Sequence, residues 1–567
     1  MTTEETNVDL QEAPDQTKDP DPKEAAEDPA PVSADADATE ADVSEADLDQ
    51  EEQEKLPMTG GGDRAEAVGA ENGSVKLKMP EEEQEEQGEK EEKEEEQVKF
   101  TGLNKEELLR VAGTPGWVRT RWALLVVFWL GWLGMFGGAV LIILQAPRCR
   151  DLPPTEWWSG GPLYRIGDIR VFSPTGDLKG VEQKLGSLSQ LKVRGLLLGP
   201  VHVAPPDEAV SLRFEEISPE LGTLEQFRSL VQAAHRKGIS VVLDLTPNYR
   251  GPSGPWFSNV SVTNVAERLK SALVFWMNEG VDGVQLAGVE RVAGVVPSLW
   301  SDIRAIVQNG TEERPGRRVL IGVTERSAAE DVSALLSSSG VDLLVSRVLR
   351  HSNTDGAELA QSVQLLYSSH SQTRLAWSLG GGGEGHLASL VGPALVRLQM
   401  LLLLTLPGTP VFNYGDEIGL MDQETKFPRM LWDSDEELNG TLQVNRTNTL
   451  PCRASVPRGF FCSLAALRGT ERSLLFGDFV PLSNSSSSLV FLRVWDQSDR
   501  YVAAFNWGGA PAGVGGVLAP AGVPLPPRAT VVLSTDGGAL PADSSVSLEE
   551  LQLGPGQAAL LRFPYAG

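Results

Sequence analysis

One stretch of this 567-residue chain carries neither charge nor a polar stripe: Trp122–Gln145, WALLVVFWLGWLGMFGGAVLIILQ. Its apolar surface runs all the way round, as a helix in lipid requires and a half-buried globular helix does not. At ~1.5 Å per residue such a helix is about 35 Å long, enough to cross a hydrocarbon core. A tail of 121 residues precedes it, which sets it apart from a signal peptide. Just upstream, Asn104 with Glu107 three residues on reads as a capping box. It opens a short helix, Lys105–Ala112, stopped by Gly113 and Pro115. Past residue 160 short apolar runs alternate with amphipathic stretches. The predicted strands are Ile169–Phe172, Gly195–Leu198, Ser240–Leu245, Gly283–Leu286, Val319–Val323, Leu343–Val345, Arg374–Trp377 and Thr409–Asn413. Helical spacing falls between them, as at Leu224–Arg236 and Val265–Met277. Repeated strand–helix units of this kind predict a parallel sheet closed into a (β/α)8 barrel. From about residue 470 the helical period vanishes. Leu489–Trp495, Tyr501–Trp507, Ala529–Ser534 and Gln557–Phe563 predict a small antiparallel β-sandwich.

Charge divides the chain differently. Residues 1–100 hold 34 acidic and 9 basic side chains, and the remaining residues hold 44 and 40. Nearly all of the net charge of −29 therefore sits in one tail. Residues 1–97 have too few apolar side chains to offset their ordering entropy and read as a disordered acidic segment. No basic domain remains that would argue for nucleic acid. Lys99, Lys105, Arg110, Arg119 and Arg121 lie before the apolar run; only Arg148 and Arg150 lie just after it. That excess places the N-terminus in the cytosol and the large C-terminal part outside. Five N-x-S/T sequons lie on the outer side, at Asn259, Asn309, Asn439, Asn445 and Asn484, and agree with that orientation. Within the span, Gly131, Gly134 and Gly138 put small residues on one face, where another helix can approach closely. Of three cysteines, Cys452 and Cys462 are close enough in sequence to close a small loop. Cys149 lies four residues beyond the span among polar neighbours. It suits an intermolecular disulfide, to another membrane protein or to a second copy; a free or palmitoylated thiol is the alternative. The organisation is then a cytosolic tail (1–97), a juxtamembrane segment (98–121), a transmembrane helix (122–145), a neck (146–160), a barrel (161–455) and a sandwich (456–567).

Several stretches resemble the α-amylase family of glycoside hydrolases. Gly222-Thr-Leu-Glu-Gln-Phe, Leu230-Val-Gln-Ala-Ala-His-Arg-Lys-Gly-Ile and Val241-Val-Leu-Asp-Leu-Thr-Pro-Asn248 look like that family's second helix and third strand. Gly280-Val-Asp-Gly283 looks like the approach to its fourth strand, and Leu406-Pro-Gly-Thr-Pro-Val-Phe-Asn-Tyr-Gly-Asp-Glu-Ile-Gly419 like its eighth. The resemblance implies a barrel with the active site at its top. Retaining hydrolysis needs two carboxyl groups about 5 Å apart. Where the family has a fourth-strand Arg and nucleophilic Asp, this chain has Gln285 and Ala287. Where the fifth-strand acid belongs it has Val323, with Glu325 two residues on. Ser378-Leu-Gly-Gly-Gly-Gly-Glu384 stands in place of a His-Asp pair. Asp244 and Asn248 persist, but Tyr249 replaces a His. The resemblance therefore implies an amylase-like fold without its catalytic residues, and no metal or cofactor. It also lacks the family's inserted B domain, because Asn248 and Asp282 are too close in sequence to hold one.

The membrane half resembles a second family. Lys99-Phe-Thr-Gly-Leu, Glu106-Glu-Leu-Leu, Pro115-Gly-Trp-Val-Arg-Thr-Arg-Trp-Ala and Ala146-Pro-Arg-Cys-Arg are similar to the heavy chains of heteromeric amino-acid transporters. That resemblance implies a non-catalytic ancillary subunit of the plasma membrane. It would be disulfide-linked through Cys149 to a multi-span light chain that moves the amino acids, with membrane lipid around its helix. It also implies coupling to integrin β subunits. A single apolar helix cannot line a polar pathway, so this chain is not itself the transporter. Two rival readings are a membrane-anchored α-glycosidase with relocated groups, centred on Glu325, and an adhesion receptor acting alone.

Overall fold

A computed structural model describes residues 104–145, 149–248, 256–257, 259–309, 318–350, 355–381, 383–432, 457–513 and 525–565. The acidic tail, Tyr249, Asn439, Asn445 and Cys452 lie outside the described residues.

Helix α1 is Lys105–Ala112, as the sequence predicts, with Glu106 and Glu107 in its first turn, where they complement the helix dipole. Asn104 occupies the N-cap with extended backbone, but its side chain does not close a cap hydrogen bond. The residues here are exposed, so water can serve the free amides. Helix α2 begins at Pro115 and runs to Gln145, seven residues longer than the apolar run alone. Proline at the first helical position is pre-set for that start. No residue of α2 is buried, and the helix is long and apolar enough to cross a membrane. A Cβ added at Gly131, Gly134 or Gly138 would meet nothing within 4 Å.

Eight parallel strands form the barrel: β1 Leu163–Ile166, β2 Gly195–Leu198, β3 Ser240–Asp244, β4 Gly283–Ala287, β5 Val319–Val323, β6 Leu343–Ser346, β7 Leu375–Trp377 and β8 Thr409–Asn413. Each pairs with its neighbour in sequence, and β8 closes on β1 through Leu163 beside Val411. Seven of the eight predicted strands are found. The exception is Ile169–Phe172, which is a short helix, α3, while the first strand lies just upstream. Asp168 caps that helix by accepting from the Arg170 amide, and Ile169 and Phe172 share its buried face. The chain then runs through α4 Leu178–Gln190, α5 Leu224–Arg236, α6 Asn259–Asn278, α7 Val289–Val295, α8 Pro297–Gln308, α9 Ala329–Ser339, α10 Gly356–Ser369, α11 Leu387–Val391, α12 Val396–Thr405, α13 Pro457–Thr470 and α14 Arg472–Leu475. Helix α5 opens with a full capping box between Thr223 and Gln226. Among the described residues between β3 and β4, α6 is the one helix.

Strands buried on both faces read as unbroken apolar runs, and Gly195-Leu-Leu-Leu198 is such a case. Alternate residues, among them Leu163, Leu197, Val242, Ile321, Val345 and Val411, fill the interior. Trp158 joins them and donates its indole N–H to the Thr373 carbonyl at 3.0 Å, ahead of β7, so it plugs the N-terminal mouth.

The C-terminal part is one six-stranded antiparallel sheet: β9 Asp478–Asn484, β10 Ser488–Val494, β11 Arg500–Asn506, β12 Arg528–Ser534, β13 Ser545–Ser547 and β14 Gln557–Phe563, in the order β9-β10-β11-β14-β12-β13. Period-2 alternation gives it two apolar faces. Leu489, Phe491, Tyr501, Ala503, Phe505 and Leu560 join the core of the barrel helices. Val490, Leu492, Val502, Val531 and Leu561 form a second core with Leu551 and Leu553. The predicted sandwich is thus a large sheet and a two-stranded ribbon, Ala512–Gly513 with Gln552–Leu553.

Candidate functional site

Two places carry the residues singled out in the sequence. The first is a cavity of about 270 Å3 at the C-terminal ends of the barrel strands. Arg165, Asp244, Asn248, Gln285, Ala287, Val323, Glu325, Arg347, Ser378 and Glu384 line it. Register explains why they meet: Asp244 pairs with Gln285 across β3 and β4, and Ala287 with Val323 across β4 and β5. Gln285 donates its Nε2–H to Asp244 Oδ2 at 2.7 Å, and the Thr246 amide donates to Oδ1 at 3.0 Å. Burial pushes the Asp244 carboxyl up, against these bonds. The Ala287 amide donates to Thr246 Oγ1 at 3.0 Å, and its carbonyl accepts from the Trp256 indole at 3.1 Å. Ala287 thus ends β4 with a methyl group at the cavity.

Glu325 is largely exposed and ion-paired with Arg347. Arg347 also reaches Glu384, which Arg350 holds as well. Burial lowers the Arg347 guanidinium. The carboxylates of the cavity are thus tied up, Asp244 by an amide and Glu325 and Glu384 by guanidinium groups. Sequence reasoning missed these arginines, because nothing in their local pattern says which loops the barrel brings together. It also missed a pair formed by buried His386, Nδ1, with half-buried Asp422, Oδ1, at 2.7 Å, which does not line the cavity. Among the described residues no group of three His, Cys, Asp or Glu side chains is arranged to hold a metal ion.

The second place is the neck. Cys149 is a free, exposed thiol. Arg150, next to it, lies against the C-terminal sheet, with its guanidinium 4.6 Å from the Trp495 ring centroid. Cys462 is buried on α13 and disulfide-bonded. Asn309, at the C-terminus of α8, and Asn484, at the end of β9, are exposed; Asn259 begins α6.

Known proteins match both halves. Residues 88–164 match the family Solute carrier family 3 member 2 N-terminus, and residues 165–265 match the alpha amylase catalytic domain. The chain is 43% identical over 527 residues to the amino acid transporter heavy chain SLC3A2 of Oryctolagus cuniculus, covering 90% of this chain and 96% of that one. It belongs to the SLC3A2 family of amino acid transporter heavy chains. The Mus musculus SLC3A2 heavy chain is 42% identical, with the same coverage. An α-amylase from Geobacillus thermoleovorans, solved with acarbose, superposes with a TM-score of 0.56 at 19% identity. It covers 73% of this heavy chain and all of its own, and bears on the fold alone.

Proposed function

We propose that this SLC3A2-family chain is a non-catalytic ancillary subunit of an amino-acid transporter, disulfide-linked through Cys149 to a multi-span light chain that it stabilises and accompanies to the plasma membrane. The observation that carries the covalent part is the neck: a free, exposed cysteine four residues past a helix fit to cross a bilayer. A covalent bond there raises the effective concentration of two membrane helices for each other. The positive flank before α2 supports a cytosolic N-terminus. Exposure of Asn309 and Asn484 supports glycosylation of the part beyond the span. We read the barrel top as catalytically silent, because Ala287 and Val323 supply no carboxyl and Glu325 is engaged by Arg347.

The test is a membrane immunoblot of the full chain with and without reductant, repeated with Cys149→Ser. The expected result is a non-reduced band higher by the mass of a multi-span protein, lost with reductant and in the variant. A band at twice the chain mass would favour a homodimeric receptor, and an unshifted band would remove the covalent tether.

A further inference from the structure

The sequence around Cys149 reads as a polar linker that has just left the bilayer, but the structure fastens the chain one residue later. The Arg150 backbone N–H donates to Asp496 Oδ2 at 3.0 Å. Its guanidinium lies over Trp495, a ring 4% exposed and packed against Phe476 at 5.6 Å. The same guanidinium is 3.7 Å from Asp478 Oδ2. Asp478 also accepts from the Tyr367 hydroxyl at 2.9 Å, which ties the first residue of β9 to α10 of the barrel. Asp496 holds its place in the turn between β10 and β11 at φ +44°, a conformation Asp tolerates better than most residues. Three kinds of contact converge on one residue: an amide cap, a ring face and a carboxylate. Each is modest at a surface, and half-exposed ion pairs contribute little alone. Together they fix both backbone and side chain of Arg150, and adjacent Cα atoms lie only about 3.8 Å apart.

We infer that Arg150 is a positioning residue for the Cys149 disulfide: docked on Trp495, Asp478 and Asp496, it holds the thiol beside the β10–β11 turn of the C-terminal sheet. This rests on the reading of Cys149 as an interchain cysteine. An untethered neck would let the thiol sweep a wide volume and meet the partner cysteine less often. The clamp narrows that search.

Two measurements test it on the full chain. First, a nitroxide is placed on Cys149 after mild reduction and its mobility read by electron paramagnetic resonance in detergent. The wild type and Arg150→Lys, which keeps a cation over Trp495, are expected to be immobilised. Arg150→Ala and the double variant Asp478→Ala/Asp496→Ala are expected to be mobile. Second, the reductant-sensitive fraction of the chain is measured in cells at equal surface amount. It should fall severalfold in Arg150→Ala and recover in Arg150→Lys. Equal label mobility in the wild type and Arg150→Ala overturns the clamp. Released mobility with an unchanged covalent fraction overturns its positioning role. If the wild type forms no reductant-sensitive product, the interchain reading fails and the positioning role with it, whereas the label still reports whether the neck is clamped.

Discussion

Ala287 lines the cavity with a methyl group, and the polar side chains around it are engaged with one another. Gln285 is spent on Asp244, and Glu325 and Glu384 are spent on Arg347 and Arg350. Restoring one group should therefore not restore a reaction. In Ala287→Asp the new carboxylate would have neither a neighbouring guanidinium at position 285 nor an acid partner at 323. Release of nitrophenol from p-nitrophenyl α-glucoside is expected to stay at the no-enzyme rate in both the wild type and this variant. Turnover by either would reopen the glycosidase reading, and its loss on Glu325→Gln would locate the acid. At this scale the sequence was legible where a motif fixes the register: Gln285, Ala287 and Val323 all line the cavity. It was silent on Arg347 and Arg350, which act through partners distant in sequence.

Helices and strands were legible wherever the apolar run was unambiguous, and the one misplacement shows what decides the others. Leu163–Ile166 and Ile169–Phe172 are both four-residue runs rich in apolar side chains, two residues apart. The Asp168 cap tips the second into a helix, a side-chain bond that periodicity alone does not weigh. Two buried arginines were equally hidden: one ties α13 to the end of α12, and the other ties the C-terminal sheet to it. Arg468 of α13 donates to the Leu404 and Leu406 carbonyls at 2.7 and 2.9 Å, and to Gly408. Arg493 of β10 donates to Thr405, to Leu474 at 3.1 Å and to Gly477 at 2.9 Å. The carbonyls at the end of α12 have no helical partners, and two cations supply them. Burial lowers Arg468 to about 9 and Arg493 to about 10, which leaves both charged at neutral pH. Arg493→Met keeps much of the volume but strands these carbonyls. The expected cost is about 1.5–3 kcal/mol, read as an earlier urea midpoint of the full chain. A midpoint unchanged within error would mean that water replaces the guanidinium.

At the scale of the whole barrel, closure comes where β8 meets β1, and that junction is polar. Asp416, just past β8, accepts from the amides of Asn413 at 2.8 Å and Leu387 at 2.9 Å. Glu417 accepts from the Tyr164 hydroxyl of β1 at 3.0 Å, and that same hydroxyl accepts from the Gly415 amide at 3.0 Å. Burial is the largest influence on both carboxyls and pushes each up to about 7, while the bonds they accept pull the other way. The folded state therefore binds protons that the unfolded chain has already released. A raised acid contributes stability that is fully present below the ordinary carboxylate value near 4 and is lost as pH rises through about 7. Near neutral pH both carboxyls would sit near the middle of their titration. Glu417→Gln removes one titration and keeps an oxygen that can accept from Tyr164. Its stability relative to the wild type should rise between about pH 4.5 and 7 and level off above that, by a total on the order of a few kcal/mol. Urea unfolding of both proteins at pH 5, 6, 7 and 8 reads this directly. A difference that does not vary with pH would mean that the Glu417 carboxyl titrates in its ordinary range and that the junction is no proton store.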